Sequence, residues 1–251
     1  MRYTRYCRST GVRLKIYPTL NLQHGRVVST TGEATTYSAT PLDLVARLLE
    51  EGVNRLALVD VDAARNQGHN RDLIAQILQR CHARDRKVCV QVAGGIRSSD
   101  QAQFFLDQGA RWLVAGTILH KSQVVSDQLL ARFQSSLVAA VDSRGGKVQR
   151  SGWVDPTPLS AIDLGLRARD YGFKRLLFVD IPESSRLEPD FLTARRLSEA
   201  TGLALVMGGS LVSPDHLEAA RDTRVLRASL VDALLFESQP RLMAFLQAAC
   251  A

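Results

Sequence analysis

The sequence predicts an α/β fold of the TIM (β/α)8 barrel class. Eight short runs of apolar and β-branched residues alternate with segments of helical period along a chain of 251 residues. This alternation predicts a parallel sheet with crossover helices, and eight strand–helix units in about 250 residues match the size of a closed barrel. An internal repeat favours the closed barrel over the alternative, an open doubly wound sheet.

The eight predicted strands are the runs 14–20, 55–61, 88–92, 112–115, 137–141, 175–181, 204–207 and 223–226. The segments between them have the pattern of amphipathic helices. In the segment that begins at Pro41, the apolar residues Leu44, Val45 and Leu48 fall on one face. This segment ends before Gly52, and proline at the start with glycine beyond the end is the usual asymmetry of helix termini.

The two halves of the chain resemble each other. Three stretches recur in order, namely 52–60 with 172–180, 94–95 with 208–209, and 21–28 with 142–149. Their spacings are 120, 114 and 121 positions, so the repeat unit is about half of the chain. The repeat predicts one domain over residues 1–251, built from two duplicated half-barrels of about 14–134 and 135–250. The basic residues before position 14 form an N-terminal arm.

Composition and charge limit the class of protein. Hydrophobic residues make up 45% and charged residues 23% of the chain, which is ordinary for a globular protein and excludes a disordered or collagen-like chain. The formal net charge of +7 fits nucleic acid, an anionic membrane or a small anionic substrate. The basic residues are spread along the chain without an aromatic-interleaved stripe, which argues against nucleic acid and favours a solvated basic surface.

The cysteines and histidines indicate neither disulfides nor metal. Cys7, Cys81, Cys89 and Cys250 form no Cys-x-x-Cys pair, and the five histidines lack metal-ligand spacing. The chain shows no signal-peptide pattern and no run of about eighteen apolar residues. We therefore expect a cytoplasmic protein without a membrane partner, a disulfide framework or a structural metal.

Glycines follow the third and fourth predicted strands, where a barrel binds ligands. Gly94-Gly95 precede Ile96 and Arg97, and Gly116-Thr117 follow the next strand. Backbone N–H groups at such loops approach an anion closely, so the two pairs predict a phosphate cradle, with a tight turn as the alternative for Gly94-Gly95. The repeated pair Gly208-Gly209 predicts a second cradle, and a ligand with a phosphate at each end fits this symmetry.

Asp142 follows the fifth predicted strand, and a carboxylate there can act as general acid or base. Its counterpart in the first half is Asn21, whose amide exchanges only hydrogen bonds. For Asp142 the alternative is a turn or capping role. Asp60 and Asp180 are candidates for substrate contact, and the alternative is an ion pair or a loop hydrogen bond that holds the next turn.

Trp153 lies in a polar loop between Gly152 and Pro156. An aromatic side chain there can stack on a planar ligand, which predicts substrate contact. The alternative is that the indole fills the inside of its own loop.

The similarity to known proteins is carried by the segments 59–62 (VDVD), 90–98 (VQVAGGIRS), 115–117 (AGT), 141–148 (VDSRGGKV) and 152–153 (GW). These segments resemble the HisA/HisF family of histidine biosynthesis, which contains ProFAR isomerase and the cyclase subunit of imidazole glycerol phosphate synthase. The similarity runs over about residues 14–246. Gly152 and Trp153 resemble the isomerase branch, where they help to hold the substrate.

The resemblance implies an Amadori rearrangement, aldose to ketose, of a phosphoribosylamine with two phosphates, without metal or organic cofactor. It also implies phosphate binding near Gly94, Gly116 and Gly208, substrate contact by Arg97, and an acid–base role for Asp142. The family pairs this aspartate with another at the end of the first strand, where this chain has Asn21 in the segment 18–22 (PTLNL). Acid–base participation contributes about 10²- to 10⁴-fold in rate, so the amide predicts weakened turnover.

Other departures from the family pattern are Val179 in place of a threonine, 184–186 (SSR) in place of Asp-Gly-Thr, 62–64 (DAA) in place of Asp-Gly-Ala, and 226–228 (LRA) in place of a glycine beside a basic residue. The first phosphate site is therefore expected to be intact and the second to be altered. Three hypotheses follow: an isomerase of this type or of another phosphorylated sugar amine, a ligand-binding paralogue without catalysis, and a lyase- or cyclase-like enzyme with a partner subunit.

Overall fold

A computed structural model describes residues 14–29, 39–84, 87–120, 123–183, 188–236 and 239–249. The basic N-terminal arm and the segment 184–186 lie outside these ranges. The strands within them are β1 (Lys15–Gln23), β2 (Arg26–Val28), β3 (Arg55–Asp60), β4 (Cys89–Ala93), β5 (Trp112–Ala115), β6 (Leu137–Arg144), β7 (Lys147–Arg150), β8 (Asp155–Ser160), β9 (Arg175–Asp180), β10 (Ala204–Gly209) and β11 (Leu226–Asp232).

The helices connect successive barrel strands. They are α1 (Pro41–Glu50), α2 (Val61–Arg65), α3 (Arg71–Arg84), α4 (Ser99–Asp107), α5 (Gln123–Phe133), α6 (Ala161–Asp170), α7 (Phe191–Thr201), α8 (Pro214–Asp222) and α9 (Gln239–Ala248). The amphipathic pattern predicted for α1 is confirmed, because Leu44, Val45 and Leu48 are buried and Thr40 caps its N-terminus. None of the described helices is long and apolar enough to cross a membrane.

Eight parallel strands close into a barrel, which confirms the predicted fold class. The order β5-β4-β3-β1-β11-β10-β9-β6 is completed by a parallel pairing of β5 with β6. Strands β1 and β6 therefore lie four places apart in the ring, on opposite sides of the barrel. The same holds for β5 and β11.

The eighth barrel strand is displaced from its predicted position. The run 223–226 was expected to form it, whereas β11 begins at Leu226 and continues to Asp232. Thr223 is the C-cap of α8, and its hydroxyl donates to the carbonyl of Ala220 at 2.6 Å. Arg224 has a φ of 59°, so the chain is still turning away from the helix where a strand was predicted. Residues 226–228 consequently lie inside the strand and not after it.

Two hairpins extend strands beyond their predicted ends. β1 pairs with β2 through the turn His24-Gly25, and β6 pairs with β7 through Gly145-Gly146. All four turn residues have positive φ, between 49° and 78°, which is the conformation of a two-residue hairpin turn whose twist matches the strands. Asn21 and Asp142 therefore lie within strands, near the hairpins and not at a strand terminus.

Side chains alternate between two packing surfaces along each barrel strand. In β3, Leu56 and Leu58 pack outward against the helices, while Ala57 faces the barrel interior. In β9, Phe178 faces outward and Leu177 inward. The inward positions near the carboxyl ends of the strands are therefore the ones that surround the barrel mouth.

Candidate active site at the mouth of the barrel

A cavity of about 890 Å³ opens at the carboxyl ends of the strands. Every one of the eight barrel strands contributes to its wall. The residues at the inward strand positions include Asn21, Val59, Ala93, Val114, Asp142, Val179, Gly208 and Asp232, and Gly116 follows β5 directly. This is the end at which a (β/α)8 barrel carries its active site, because the strand–helix loops converge there.

Asn21 and Asp142 face each other across the cavity from β1 and β6. Asn21 is only 4% exposed, and its Nδ2 has no hydrogen-bond partner among the described residues. A buried amide N–H without a partner is costly to fold, so the site provides a donor for a ligand. The structure thus brings together the two residues predicted for the catalytic pair.

Asp142 has an environment suited to proton transfer. Burial of the carboxylate raises the pKa of Asp142 from 3.8 to about 6, while the hydrogen bond from Trp153 acts in the opposite direction. The Nε1–H group of Trp153 donates to Oδ2 of Asp142 at 2.9 Å. A carboxyl group with this pKa is populated in both protonation states close to neutral pH, as an acid–base catalyst requires.

The loop that carries Trp153 has an unusual backbone. Ser151, Gly152 and Trp153 have φ values of 55°, 70° and 74° in succession. A bulky residue in the left-handed region is strained, and such strain persists only where the surrounding structure enforces it. Here the strain orients the indole of Trp153 towards Asp142 instead of towards the inside of its own loop. Stacking of Trp153 on a ligand stays a prediction.

Arg65 is a cavity residue that the sequence did not indicate. It ends α2 and lies against the Trp153 loop, since a Cβ atom added to Gly152 would be 2.7 Å from Cγ of Arg65. The side chain therefore spans from the loop after β3 to the loop after β7. It places a positive charge at the rim of the cavity.

The glycines predicted for phosphate binding lie in the cavity wall, namely Gly94, Gly95, Gly116, Gly208 and Gly209. Thr117 begins a 3-10 turn (Thr117–His120), but its side chain is outside the described part. Phosphate binding itself stays a prediction.

The structure corrects the pairing of the repeated glycines by one position. Gly94 and Gly209 have φ values of 96° and 95°, and a Cβ on either would collide with the carbonyl oxygen of Asp60 or Asp180 respectively. Gly209 is therefore the counterpart of Gly94, and Ser210 takes the place of Gly95. The glycine is required in both halves by the close approach of the neighbouring strand.

Asp60 and Asp180 are not among the residues that line the cavity. Both occupy outward strand positions and are 2% exposed. Asp60 caps α2 and accepts hydrogen bonds from Asn70, and Asp180 accepts from the backbone of Asp190 and the hydroxyl of Ser210. Of the two interpretations of these aspartates, the loop hydrogen bonding describes what the structure shows.

Arg97 likewise braces a loop. Its guanidinium donates to Oδ1 of Asn66 at 2.6 Å and to the carbonyl of Ala64 at 3.2 Å. Arg97 is not part of the cavity wall, whereas Ala64 is. Arg97 therefore stabilises the loop that contains Ala64, a residue of the cavity wall. Substrate contact by Arg97 stays a prediction.

Asp232 is another cavity residue that the sequence did not indicate. Its Oδ1 accepts from the N–H of Leu234 at 3.0 Å, at the start of the 3-10 turn Ala233–Phe236. This turn follows the turn Thr117–His120 at a spacing of 116, so Asp232 corresponds to Gly116. The match of 114–119 (VAGTIL) with 230–235 (LVDALL) was the available signal, hidden by the misplaced eighth strand.

The fold and the mouth define a (β/α)8 barrel with a buried carboxyl group of raised pKa, a strained tryptophan loop and glycine-lined walls. A family model described as "Histidine biosynthesis protein" matches residues 15–240. The chain therefore belongs to the histidine biosynthesis protein family, which confirms the resemblance seen in the sequence.

Similar curated proteins support this assignment. A protein of Dehalococcoides mccartyi (strain CBDB1) is 31% identical over 218 residues, which cover 84% of this chain and 87% of the relative. A protein of Roseiflexus sp. (strain RS-1) is 31% identical over 219 residues, with coverage of 84% and 90%. One of Desulfitobacterium hafniense (strain DSM 10664 / DCB-2) is 27% identical over 230 residues, with coverage of 89% and 90%. All three are named as isomerases of an imidazole-4-carboxamide that carries a 5-phosphoribosyl group and a (5-phosphoribosylamino)methylideneamino group.

Proposed function

We propose that this protein is an aldose–ketose isomerase that carries out an Amadori rearrangement of a phosphoribosylamine of the ProFAR type, with Asp142 as its acid–base group. The observation that carries the proposal is the Asp142 carboxyl group, whose pKa is raised to about 6 in the cavity wall and which Trp153 orients. The relatives' names supply the reaction class and the kind of substrate.

The chemistry needs one group that first donates and then accepts a proton. As the sugar ring opens, the bond from C1′ to the ring oxygen breaks, the ring oxygen takes a proton from Asp142, and the nitrogen lone pair forms a C1′=N bond. The Asp142 carboxylate then removes the proton on C2′, which gives an enaminol. Protonation of C1′ and loss of the hydroxyl proton at O2′ give the ketose, so the atoms of substrate and product balance.

Binding is assigned to the first half of the mouth. Gly94, Gly95 and Gly116 line this half of the cavity, where the backbone N–H groups of their loops can bind an anion, and Arg65 adds a positive charge to the wall. Asn21 offers its unpartnered amide to a hydroxyl group of the sugar. Together these residues would hold C1′ and C2′ between β1 and β6.

The test is an isomerase assay with ProFAR on the purified protein and on Asp142→Asn. We expect measurable turnover by the unmodified protein and a loss of about 10²- to 10⁴-fold in the variant, because the amide cannot transfer the proton. Asp127→Asn, an exposed position on α5, is the matched control and should leave the rate unchanged. Equal rates for the protein and Asp142→Asn would overturn the proposal.

A second function, ligand binding without catalysis, is favoured by the amide at position 21. Asn21 cannot act as a general base, although its place opposite Asp142 suits one. Calorimetric titration of ProFAR beside the assay separates the two: heat of binding without turnover in the unmodified protein supports the binding function. Turnover supports the isomerase.

We also propose a phosphorylated small-molecule partner and a cytoplasmic location. The first rests on the glycines of the cavity wall and on the substrate named for the relatives. The second rests on the biosynthetic family to which the chain belongs.

A further inference from the structure

A second group of charged side chains lies at the amino end of the barrel, opposite the mouth. Arg55, Trp112 and Arg175 occupy the inward positions at which β3, β5 and β9 begin, because each stands two positions before an inward residue of its strand. Arg111 directly precedes β5. The guanidinium carbons of Arg111 and Arg175 lie 4.0 and 3.8 Å from the ring centroid of Trp112, so one indole holds both cations.

The positive charges of this cluster act on one another. Burial lowers the pKa of Arg175, and the charge of Arg111 lowers it further. Burial raises the pKa of the neighbouring Tyr17, against the opposing effect of the Arg55 charge. The phenol of Tyr17 therefore stays protonated at neutral pH and gives the cluster no negative charge. Three guanidinium groups lie together here in spite of their repulsion.

No carboxylate of the described residues pairs with these three arginines. Arg55 donates to the amide oxygen of Asn54 at 2.7 Å. Arg111 and Arg175 stack on Trp112. The N-terminal arm that precedes β1 contains four arginines and no acidic residue, so its sequence adds positive charge alone. Guanidinium groups gathered in this way can bind a phosphate both by charge and by paired N–H donors.

Gln91 gives a second, independent sign of a ligand. It is the next inward residue of β4 after Cys89, and it pairs in register with Trp112. Gln91 is only 4% exposed, and its Nε2 has no hydrogen-bond partner among the described residues. A buried N–H group without an acceptor is costly to fold. The interior beside Trp112 therefore lacks an acceptor that an anion can supply.

We propose that the amino end of the barrel binds a small phosphate-bearing anion among Arg55, Arg111 and Arg175. This site is additional to the proposed function, because it lies at the opposite end of the barrel from Asp142. A small ligand is favoured over a nucleic acid, since a stacking base would compete with two guanidinium groups for the ring of Trp112. Inorganic phosphate and a phosphate ester share the chemistry that this cluster recognises, and the experiment separates them.

The chain has two tryptophans, and each one reports on a different end of the barrel. Trp153→Phe leaves Trp112 as the only tryptophan. The experiment titrates this variant with inorganic phosphate and, separately, with ribose 5-phosphate, and follows the tryptophan emission. We expect a saturable change with at least one probe and none with sodium chloride at the same ionic strength. Saturation with inorganic phosphate shows that the free ion is sufficient, and saturation with ribose 5-phosphate alone identifies a phosphate ester.

Substitutions in the Trp153→Phe background locate the binding. Arg175→Gln and Arg111→Gln should each weaken the binding of the probe about tenfold or more, because each removes one charged donor. Arg175→Lys keeps the charge but loses the paired donors, so its affinity should be intermediate. Arg71→Gln is the matched control, since Arg71 also stacks on a ring, that of Phe104 at 3.6 Å, but begins α3 at the other end of the barrel.

Two results would overturn the proposal. One is the lack of a saturable change in Trp112 emission with either probe. The other is a change that Arg175→Gln and Arg111→Gln leave as intact as Arg71→Gln does. If Trp153→Phe fails to fold, calorimetric titration of the unmodified protein and the same arginine variants gives the same comparison. The rate of Asp142→Asn has no bearing on this outcome, because the isomerase assay reports on the mouth.

Discussion

Two opposing effects set the pKa of Asp142. Burial disfavours its charged form, and the indole N–H of Trp153 favours it. The balance sets the pH at which the carboxyl group exchanges its proton. A change in either effect should therefore appear in the pH dependence of the reaction and not only in its rate.

Trp153→Phe removes the hydrogen bond and keeps the ring. The hydrogen bond lowers the pKa of Asp142, so its loss raises that pKa above about 6. If Asp142 must begin protonated, kcat/KM falls as the pH rises through this pKa. We expect the falling limb at about pH 6 in the unmodified protein and at a higher pH in Trp153→Phe, because the variant loses the hydrogen bond that lowers the pKa of Asp142.

The measurement is kcat/KM from pH 5 to 9 for both proteins. Asp127→Asn provides the control, because its side chain is exposed on α5 and should keep the limb of the unmodified protein. A limb that stays at the same pH in Trp153→Phe would mean that another group sets the profile.

The strand–turn elements of the two halves have the same backbone conformation at their equivalent glycines. Gly94 and Gly209 each adopt a φ near 95° because the carbonyl oxygen of Asp60 or Asp180 occupies the space of a side chain. This requirement exists whether or not a phosphate binds nearby. Glycine at these two positions is therefore explained by the backbone structure alone and is not by itself evidence of phosphate binding.

Gly94→Ala and Gly209→Ala should each reduce the free energy of unfolding by about 2 kcal/mol or more, since both strain the backbone and collide with a carbonyl oxygen. Urea denaturation measures the change. Gly68→Ala is the control, because Gly68 also has positive φ, 119°, but no atom of the described residues lies within 4 Å of the added Cβ. A loss in Gly94→Ala no larger than in Gly68→Ala would contradict the collision.

For the secondary-structure elements, the sequence predicts that a strand is present better than it predicts the residues at which the strand begins and ends. Seven of the eight predicted runs overlap their strands over most of their length, because apolar runs and turn residues are local signals. The strand predicted at 223–226 is wrong. Thr223 and Val225 are β-branched, as strand residues often are, but they lie in the turn that ends α8. His24-Gly25 and Gly145-Gly146 are local signals for the two hairpins after Asn21 and Asp142, since glycine at the second position suits a two-residue hairpin turn.

The same limits apply to the candidate site. Asp142 and Asn21 were found because the repeat aligns them, and the structure places both in the cavity wall. The prediction for Asp60 and Asp180 depends only on their position at the end of a strand. It leaves out the alternation of side chains along the strand, which turns both aspartates outward. Counting inward positions from Ala57 and Leu177 would have selected Val59 and Val179 instead. Arg65 depends on contact between distant loops, which no local pattern reveals.

The whole barrel has an approximate twofold relation between β1 and β6, with carboxylate on one side and amide on the other. The proposed boundary of the halves near residues 134 and 135 stays a prediction. The relation itself implies that a carboxylate at position 21 would face the same substrate carbon atoms from the opposite side. Only the second half supplies Trp153 to orient its carboxylate.

Asn21→Asp should therefore raise turnover of ProFAR by about 10²-fold or more, because one carboxylate can then donate while the other accepts. The double variant Asn21→Asp with Asp142→Asn moves the carboxylate across the barrel without its tryptophan partner. We expect it to be slower than the unmodified protein, since its only carboxylate lacks the Trp153 hydrogen bond. The measurement is kcat of the unmodified protein, Asn21→Asp, Asp142→Asn and the double variant at one pH, with ProFAR affinity from calorimetry. Equal turnover by the double variant and the unmodified protein would show that the two sides of the mouth are interchangeable, so that Trp153 has no part in orienting the acid.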